Sequence, residues 1–474
     1  MSQTDESAVD QDLGAKEDAE RQGIRDWVAR NVGGVVVEIE TLARWRPIWR
    51  VDYEKEGVVR SLFVKGDRPG VQPYSLGHEM KVMEVLEAHE IGVPHIHGWM
   101  DFPKAFVMDW VEGDRDPGML HTAIESASQM SPERWQAMLK YMEELARMHR
   151  IPVSAFSETE CGAPRTVEEI ALSQFERQYA LALELDAVDA NIEFFASWLR
   201  RNVPRHRTTA HFLTGDCGQF MSVGEEITGI IDLEMAGAGD ICWDLACFRG
   251  RHPYENMGDI PALYRHYAKV SGIPLDLPVI GYHTVNFLAF AASCAIMFMD
   301  PKQADSNWIE GILELTSISR RALEAIAELE KVELDYSFEL PEPADAPIED
   351  MALEKLLLEI GRLPLSEAFP EWKRDLLAAI PRYLQNHAHY GRWYEQACLS
   401  DIQELTGVLP ESMTAGERLL KTYIRESADG NDASLIKLFH RKMLRLSMVV
   451  AGSNPTDENP LFFRLEPILD MPTE

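Results

Sequence analysis

The sequence predicts an α+β chain in which a small antiparallel-sheet unit precedes a mainly helical remainder. Three observations carry this. Residues 35–42, 48–53 and 60–65 are β-branched or alternating stretches separated by turn-prone residues. From about residue 114 to 330 the apolar spacing is mostly helical, and 351–450 is helical throughout with no strand signal. Between those two helical stretches, Pro341, Pro343 and Pro347 stand among acidic residues.

Taken in order, residues 22–31 predict a short helix, followed by the three strands. Residues 76–89 form a helix with Met80, Val82, Met83, Val85 and Leu86 on its apolar side. Two short strands, 95–99 and 105–110, close the unit, and Gly113 marks a break. The helix at 131–149 opens on Ser131 as cap with Pro132 at its first position. Residues 174–201 read as one long amphipathic helix, 210–232 as strand–turn–strand, and 260–330 as further helices. The expected organisation is an acidic disordered tail at 1–20, a first lobe at 21–112, a second at 113–330, a linker at 331–350 and a helical C-terminal domain at 351–474.

Composition narrows the function classes. Hydrophobic residues are 46% and charged residues 26%, as in globular rather than fibrous chains. Asp and Glu number 78 against 46 Lys and Arg, a net charge of −32 that repels phosphate backbones and anionic lipid. Neither a nucleic acid nor a membrane is therefore expected as a partner. The six cysteines, Cys161, Cys217, Cys242, Cys247, Cys294 and Cys398, have no zinc-type spacing and read as reduced thiols. The first twenty residues carry Asp5, Glu6, Asp10, Asp12, Glu17, Asp18 and Glu20 against Lys16, unlike a secretory signal, so a cytoplasmic protein is expected. The longest apolar run, 287–299, falls short of the ~20 residues that span a bilayer and reads as a buried helix.

Chemistry concentrates between residues 211 and 246. The run His211-Phe-Leu-Thr-Gly-Asp-Cys-Gly-Gln is followed by Gly229-Ile-Ile-Asp-Leu-Glu, then by Gly239-Asp-Ile-Cys-Trp-Asp-Leu-Ala. An aspartate on a Gly-containing turn, an amide three residues later and an aspartate ending an apolar strand are what phosphoryl transfer uses. One carboxylate orients the attacking hydroxyl; an amide oxygen and a second carboxylate hold Mg²⁺ against the phosphates.

This order resembles the aminoglycoside-phosphotransferase-like family of small-molecule kinases, with the bilobal protein-kinase-like fold, over roughly residues 25 to 325. The resemblance implies that Asp216 is the catalytic aspartate, that Gln219 and Asp232 are metal ligands, and that Asp240 and Asp244 are mainly structural. It further implies that Lys65, at a strand end in Phe63-Val-Lys-Gly, binds the α- and β-phosphates, with Glu79 as its ion-pair partner. The stretch from Ala105 to Gly113 resembles the hinge, whose backbone at Asp109–Val111 would meet the adenine edge while Met108 lines the pocket behind it. ATP and Mg²⁺ are the implied cofactors, and a small-molecule hydroxyl the implied acceptor.

The chain departs from the family pattern at three places. Thr214 replaces the usual histidine. The catalytic loop is shorter, with Gln219 where asparagine is usual and one more methylene to span part of the deficit. The loop between the first two strands, Ala43-Arg44-Trp45-Arg46-Pro47, has no glycine to let backbone N–H groups approach the phosphates, so Arg44 and Arg46 are the candidate replacements. These departures leave a second reading open, a pseudokinase that binds nucleotide or a partner without transfer. A protein kinase fits less well, because Gly239 follows Asp232 by only seven positions, too few for an activation segment.

Weaker candidates complete the set. His387 and His389, two apart on a helix, point to different faces and do not suit one metal. Cys217 reads as a small loop filler, and Glu234 as a salt-bridge partner or a helper at the metal. Net acidity favours a cationic acceptor, whereas the apolar run 287–299 favours a greasy one. The C-terminal helices suit either a homodimer surface or a lid over the acceptor site.

Overall fold

A computed structural model describes residues 3–42, 46–67, 73–115, 130–299, 308–366, 371–426, 431–456 and 459–472. The first lobe holds helix α1 (Gln3–Asn31) and strands β1 (Val35–Thr41), β2 (Ile48–Lys55) and β3 (Val58–Gly66), then α2 (Leu76–Ala88), β4 (Ile96–Met100) and β5 (Ala105–Asp109). The five strands form one antiparallel sheet in the order β1-β2-β3-β5-β4. Register between β2 and β3 is set by the two-residue turn Glu56-Gly57, both at positive φ, the conformation that matches the twist of a hairpin.

Alternation divides the sheet between two cores. On β5, Ala105 and Val107 join Trp49, Val51, Leu62 and Val64 under Ile24, Trp27 and Val28 of α1. Phe106 and Met108 point the other way, to Val82, Met83 and Leu86 of α2 and the core of the second lobe. Helix α1 begins at Gln3, which differs from the expected disordered tail. Ala, Glu, Gln and Lys recur along the stretch, and their helix propensity carries the α1 pattern toward the N-terminus despite the acidic bias.

The second lobe comprises α3 (Pro132–Met148), α4 (Val167–Glu184), α5 (Ala190–Arg201), β6 (His211–Leu213), β7 (Phe220–Val223), β8 (Glu226–Ile230), β9 (Gly237–Gly239), α6 (Cys242–Arg251), α7 (Ile260–Ser271), α8 (Leu277–Ala295) and α9 (Trp308–Glu330). Strands β6 and β9 pair, as do β7 and β8. The Ser131 hydroxyl caps α3 by accepting the Arg134 N–H, as the Ser-Pro start predicts. The single helix expected at 174–201 is instead two. Asp186 takes a left-handed φ of 53°, and Asp189 caps the new helix by accepting the Ile192 N–H at 2.9 Å. Helix α8 is long and apolar enough to cross a membrane, but 83% of its most apolar window is buried, as befits a core helix.

Residues 331–346 are extended, then α10 (Pro347–Gly361), α11 (Glu371–Thr406), α12 (Met413–Glu426) and α13 (Asp432–Ala451) follow. The extended run is not a loose tether: Tyr336, Phe338 and Leu340 pack on Leu444, Met448 and Phe462. Nor do the last helices form a separate core. Leu420 and Ile424 of α12 and Ile436 and Phe439 of α13 belong to the apolar cluster of the second lobe, because α12 packs on α5 and α13 on α9. Helix α10 buries none of its residues.

Candidate active site

Lys65 lies near the end of β3, where the register sets it opposite Phe106 of β5 and its side chain enters the gap between the lobes. Its ammonium is 2.8 Å from Glu79 Oε1 and 3.0 Å from Asp232 Oδ1. Glu79 is in the first turn of α2, whose cap Ser75 fixes the helix start by accepting the His78 N–H. Asp232 follows β8 at a left-handed φ of 59°, a conformation that costs a non-glycine residue energy and that Asp tolerates better than most. Burial works against the charge on Lys65, yet Asp232 and Glu79 outweigh it and raise its pKa. Burial likewise opposes the charge on Asp232, and Lys65 and Arg115 hold it well below the ordinary carboxylate range. The pair is thus a fixed positive and a fixed negative charge at neutral pH.

A cavity of about 320 Å³ opens beside this cluster. Leu42, Ile48, Phe63, Met108, Met221 and Ile231 form its apolar walls, and Arg46, Lys65, Asp232 and Arg115 its charged end. Of the hinge residues, Met108, Asp109 and Val111 all line it. The Asp109 N–H is bonded to His95 O at 2.9 Å and the Trp110 N–H to Ser61 O at 3.2 Å. That narrows the expectation for the hinge backbone: among the described residues, Val111 supplies the amide with no hydrogen bond. Arg46 reaches across the cleft to pair with Glu234. Arg44 lies outside the described residues.

The loop that carries Asp216 is built around Asp244. This fully buried carboxylate accepts the Thr214 N–H at 2.8 Å, the Thr214 hydroxyl at 3.0 Å and the Gly215 N–H at 3.1 Å, while His149 Nε2 lies 3.1 Å away. Thr214 is therefore bound into the scaffold through both its backbone and its hydroxyl. Gly215 is at φ +80°, and a Cβ there would lie 1.8 Å from Met235 O, which explains the glycine before Asp216. Asp240 is tied to Arg207 at 2.7 and 2.8 Å and accepts the Cys242 N–H at 3.0 Å, a structural arrangement. Cys217 is buried, and burial pushes its thiol well above its ordinary pKa, so little thiolate forms.

Asp216 is partly open, its side chain 32% exposed. Its Oδ2 accepts Gln219 Nε2 at 2.9 Å, and the Ile231 N–H donates to Gln219 O at 3.1 Å, joining this loop to the strand that leads to Asp232. With its nitrogen on Asp216, Gln219 has its amide oxygen left to meet a cation. Two further side chains were not singled out by sequence: Arg251, which bonds Asp216, and Arg115 at the charged end of the cavity. Arg251 follows the Asp244-Leu-Ala run by only a few residues, but arginine at a helix end is too common to stand out. His387 and His389 do not converge on a metal: His389 Nε2 is 2.9 Å from Asp350, and His387 packs on Tyr383. No cluster of three or more His, Cys, Asp or Glu suited to a metal occurs among the described residues.

Residues 45–272 match the model of the phosphotransferase enzyme family. No curated protein matches the chain. Among solved structures, a Ralstonia eutropha JMP134 protein assigned to the aminoglycoside phosphotransferases is 15% identical, with TM-score 0.46, over 66% of this chain and 95% of its own. A macrolide 2'-phosphotransferase of Brachybacterium faecium is 13% identical, with TM-score 0.41, over 60% and 91%. An ethanolamine kinase of Plasmodium vivax is 12% identical, with TM-score 0.42, over 59% and 81%.

Proposed function

We propose that the protein, whose residues 45–272 match the phosphotransferase enzyme family, moves the γ-phosphoryl group of ATP, as its magnesium complex, to a hydroxyl of a small molecule. The observation that carries this is the contact of Lys65 with both Glu79 and Asp232 at the charged end of an apolar-walled cavity. A cavity of that kind suits a ligand with a flat apolar ring at one end and several negative charges at the other.

In this reading the adenine lies between the apolar walls and takes a hydrogen bond from the Val111 amide. Lys65, steadied by Glu79, grips the α- and β-phosphates. Arg46 supplies the charge that a glycine-rich loop would otherwise provide through backbone N–H groups. Gln219 and Asp232 offer two hard oxygen ligands on adjoining segments, which fits Mg²⁺, an ion that takes few protein ligands and completes its shell with phosphate and water. The bound ion would neutralise charge developing on the transferred group. Asp216 accepts a hydrogen bond from the attacking hydroxyl and orients it, so that catalysis is positioning and charge compensation. The protein is read as cytoplasmic.

The test is calorimetric titration of ATP into wild type and Asp232→Ala, with and without Mg²⁺. Binding that requires Mg²⁺ and weakens at least tenfold in the variant supports the reading. Binding indifferent to both would identify a nucleotide-binding pseudokinase instead. Asp216→Asn should bind ATP within about threefold of wild type while losing phosphoryl transfer at least hundredfold.

A further inference from the structure

Arg251 ends α6 and is 9% exposed, with its guanidinium divided between two carboxylates. Nη1 donates to Asp216 Oδ1, while Nε donates to Glu255 Oε2 at 2.9 Å and Nη2 donates to that same oxygen. Nη1 also approaches the Cys217 carbonyl at 3.4 Å. Since Gln219 holds the other oxygen of Asp216, both oxygens of that carboxylate are tied. Glu255 is itself anchored, its N–H donating to Arg251 O at 3.1 Å.

We propose that Arg251, steadied by Glu255, is a positioning residue that holds the Asp216 carboxylate in the orientation from which it receives the acceptor hydroxyl. The proposal rests on the phosphotransfer reading above and deepens it. A free aspartate turns about two side-chain bonds, and a misplacement of about 1 Å at a reacting centre costs on the order of a hundredfold in rate. The planar fork of arginine can meet two carboxylates at once, which an ammonium cannot do with the same geometry. An arginine that merely locked the end of α6 would be served by Glu255 alone, four residues along; the bond to the more open Asp216 is the part a structural role leaves unexplained.

The test uses water as the acceptor, so that no acceptor need be known. In phosphate release from Mg·ATP, a water oxygen bonds the γ-phosphorus as the bond to the β–γ bridging oxygen breaks, and ADP, inorganic phosphate and a proton are formed. Arg251→Met should lower kcat about a hundredfold and leave KM for Mg·ATP within about threefold. Arg251→Lys should recover about tenfold of that loss. In an Asp216→Asn background, Arg251→Met should slow release no further. An unchanged kcat, a KM that rises in step with the loss of rate, or an undiminished effect in the Asp216→Asn background would each overturn the proposal.

Thermal unfolding of the same four proteins (wild type, both single variants and the double) gives a second cycle that needs no turnover. Coupling between the two positions supports the clamp, and strict additivity overturns it. A wild type that neither binds Mg·ATP nor releases phosphate, yet shows coupling, would sink the phosphotransfer reading and leave the Arg251–Asp216 contact standing.

Discussion

One oxygen of Glu79, Oε1, accepts both the Lys65 ammonium at 2.8 Å and the Leu233 N–H at 3.2 Å. The carboxylate thus joins β3 of the first lobe to the residue after Asp232 in the second. His78, its neighbour on α2, repeats the link through Nε2, 2.9 Å from Ala236 O. Helix α2 is stitched at two successive residues to the segment that carries Asp232, so Lys65 and Asp232 are positioned by one element.

Glu79→Ala should therefore fail in two ways at once. It leaves Lys65 buried with one carboxylate partner fewer, and breaking a buried pair in this way costs about 3–5 kcal/mol. It also frees the Leu233 amide, so Asp232 loses its fixed place. Mg·ATP affinity should fall at least tenfold together with a drop in the unfolding temperature, read by calorimetry and thermal denaturation. Glu79→Gln keeps an acceptor for Leu233 and should lose less stability than Glu79→Ala. Equal losses in the two variants would show that the link to Leu233 is unimportant.

Gly215→Ala tests the close approach beneath the loop that carries Asp216. The new Cβ would meet Met235 O at 1.8 Å, and the residue sits at φ +80°, so both sterics and backbone oppose it. Backbone lies on both sides of the contact, and it cannot move aside as a flexible side chain would. The variant should be destabilised by about 3 kcal/mol or more and lose phosphate release. Unfolding by denaturant measures the first effect, and a stability within about 1 kcal/mol of wild type would contradict it.

What the sequence made legible follows from how local each signal is. Ser131-Pro132 and the strand–loop–strand order around Asp216 and Asp232 depend on neighbours in the chain, and they appear where the sequence puts them. The break at 185–189 was hidden because its cause is the left-handed Asp186 and a cap, in a stretch whose apolar spacing runs on unbroken. The fusion of α12 and α13 with the second lobe is a long-range packing event, and helical periodicity says nothing about which partner a face will choose. Arg251 was missed for the same reason: its meeting with Asp216 joins residues 35 positions apart in sequence. A local pattern reports residue type; it does not report which carboxylate an arginine will find.

Thr214→Val isolates the hydroxyl that binds Asp244 beneath the Asp216 loop. The substitution keeps the shape and removes the 3.0 Å bond to Asp244, while the backbone bonds of Thr214 and Gly215 remain. The expected cost is about 1.5–3 kcal/mol, the range for a lost hydrogen bond to a charged group. Mg·ATP affinity should stay within about twofold, since Thr214 faces the scaffold and not the cavity. A large loss of affinity with little loss of stability would place Thr214 in the site instead.

Acid should destabilise the protein through its buried and half-buried histidines. Burial, reinforced by Arg321, lowers His252 from the ordinary 6.5 to about 4, and His78 and His211 are also lowered, chiefly by burial. The folded state therefore holds these rings neutral where the unfolded chain would protonate them. Between about pH 6.5 and 4 the unfolded state binds more protons, so stability is full above 6.5 and falls as the pH drops toward 4. His252 alone accounts for at most about 2–3 kcal/mol of that fall, given its partial exposure. His252→Asn removes the titrating ring and leaves the backbone carbonyl that accepts from Arg321. Its unfolding free energy, measured by denaturant at pH 7.5 and pH 5, should change less between the two than that of wild type. A difference equal to that of wild type would move the acid sensitivity to other groups.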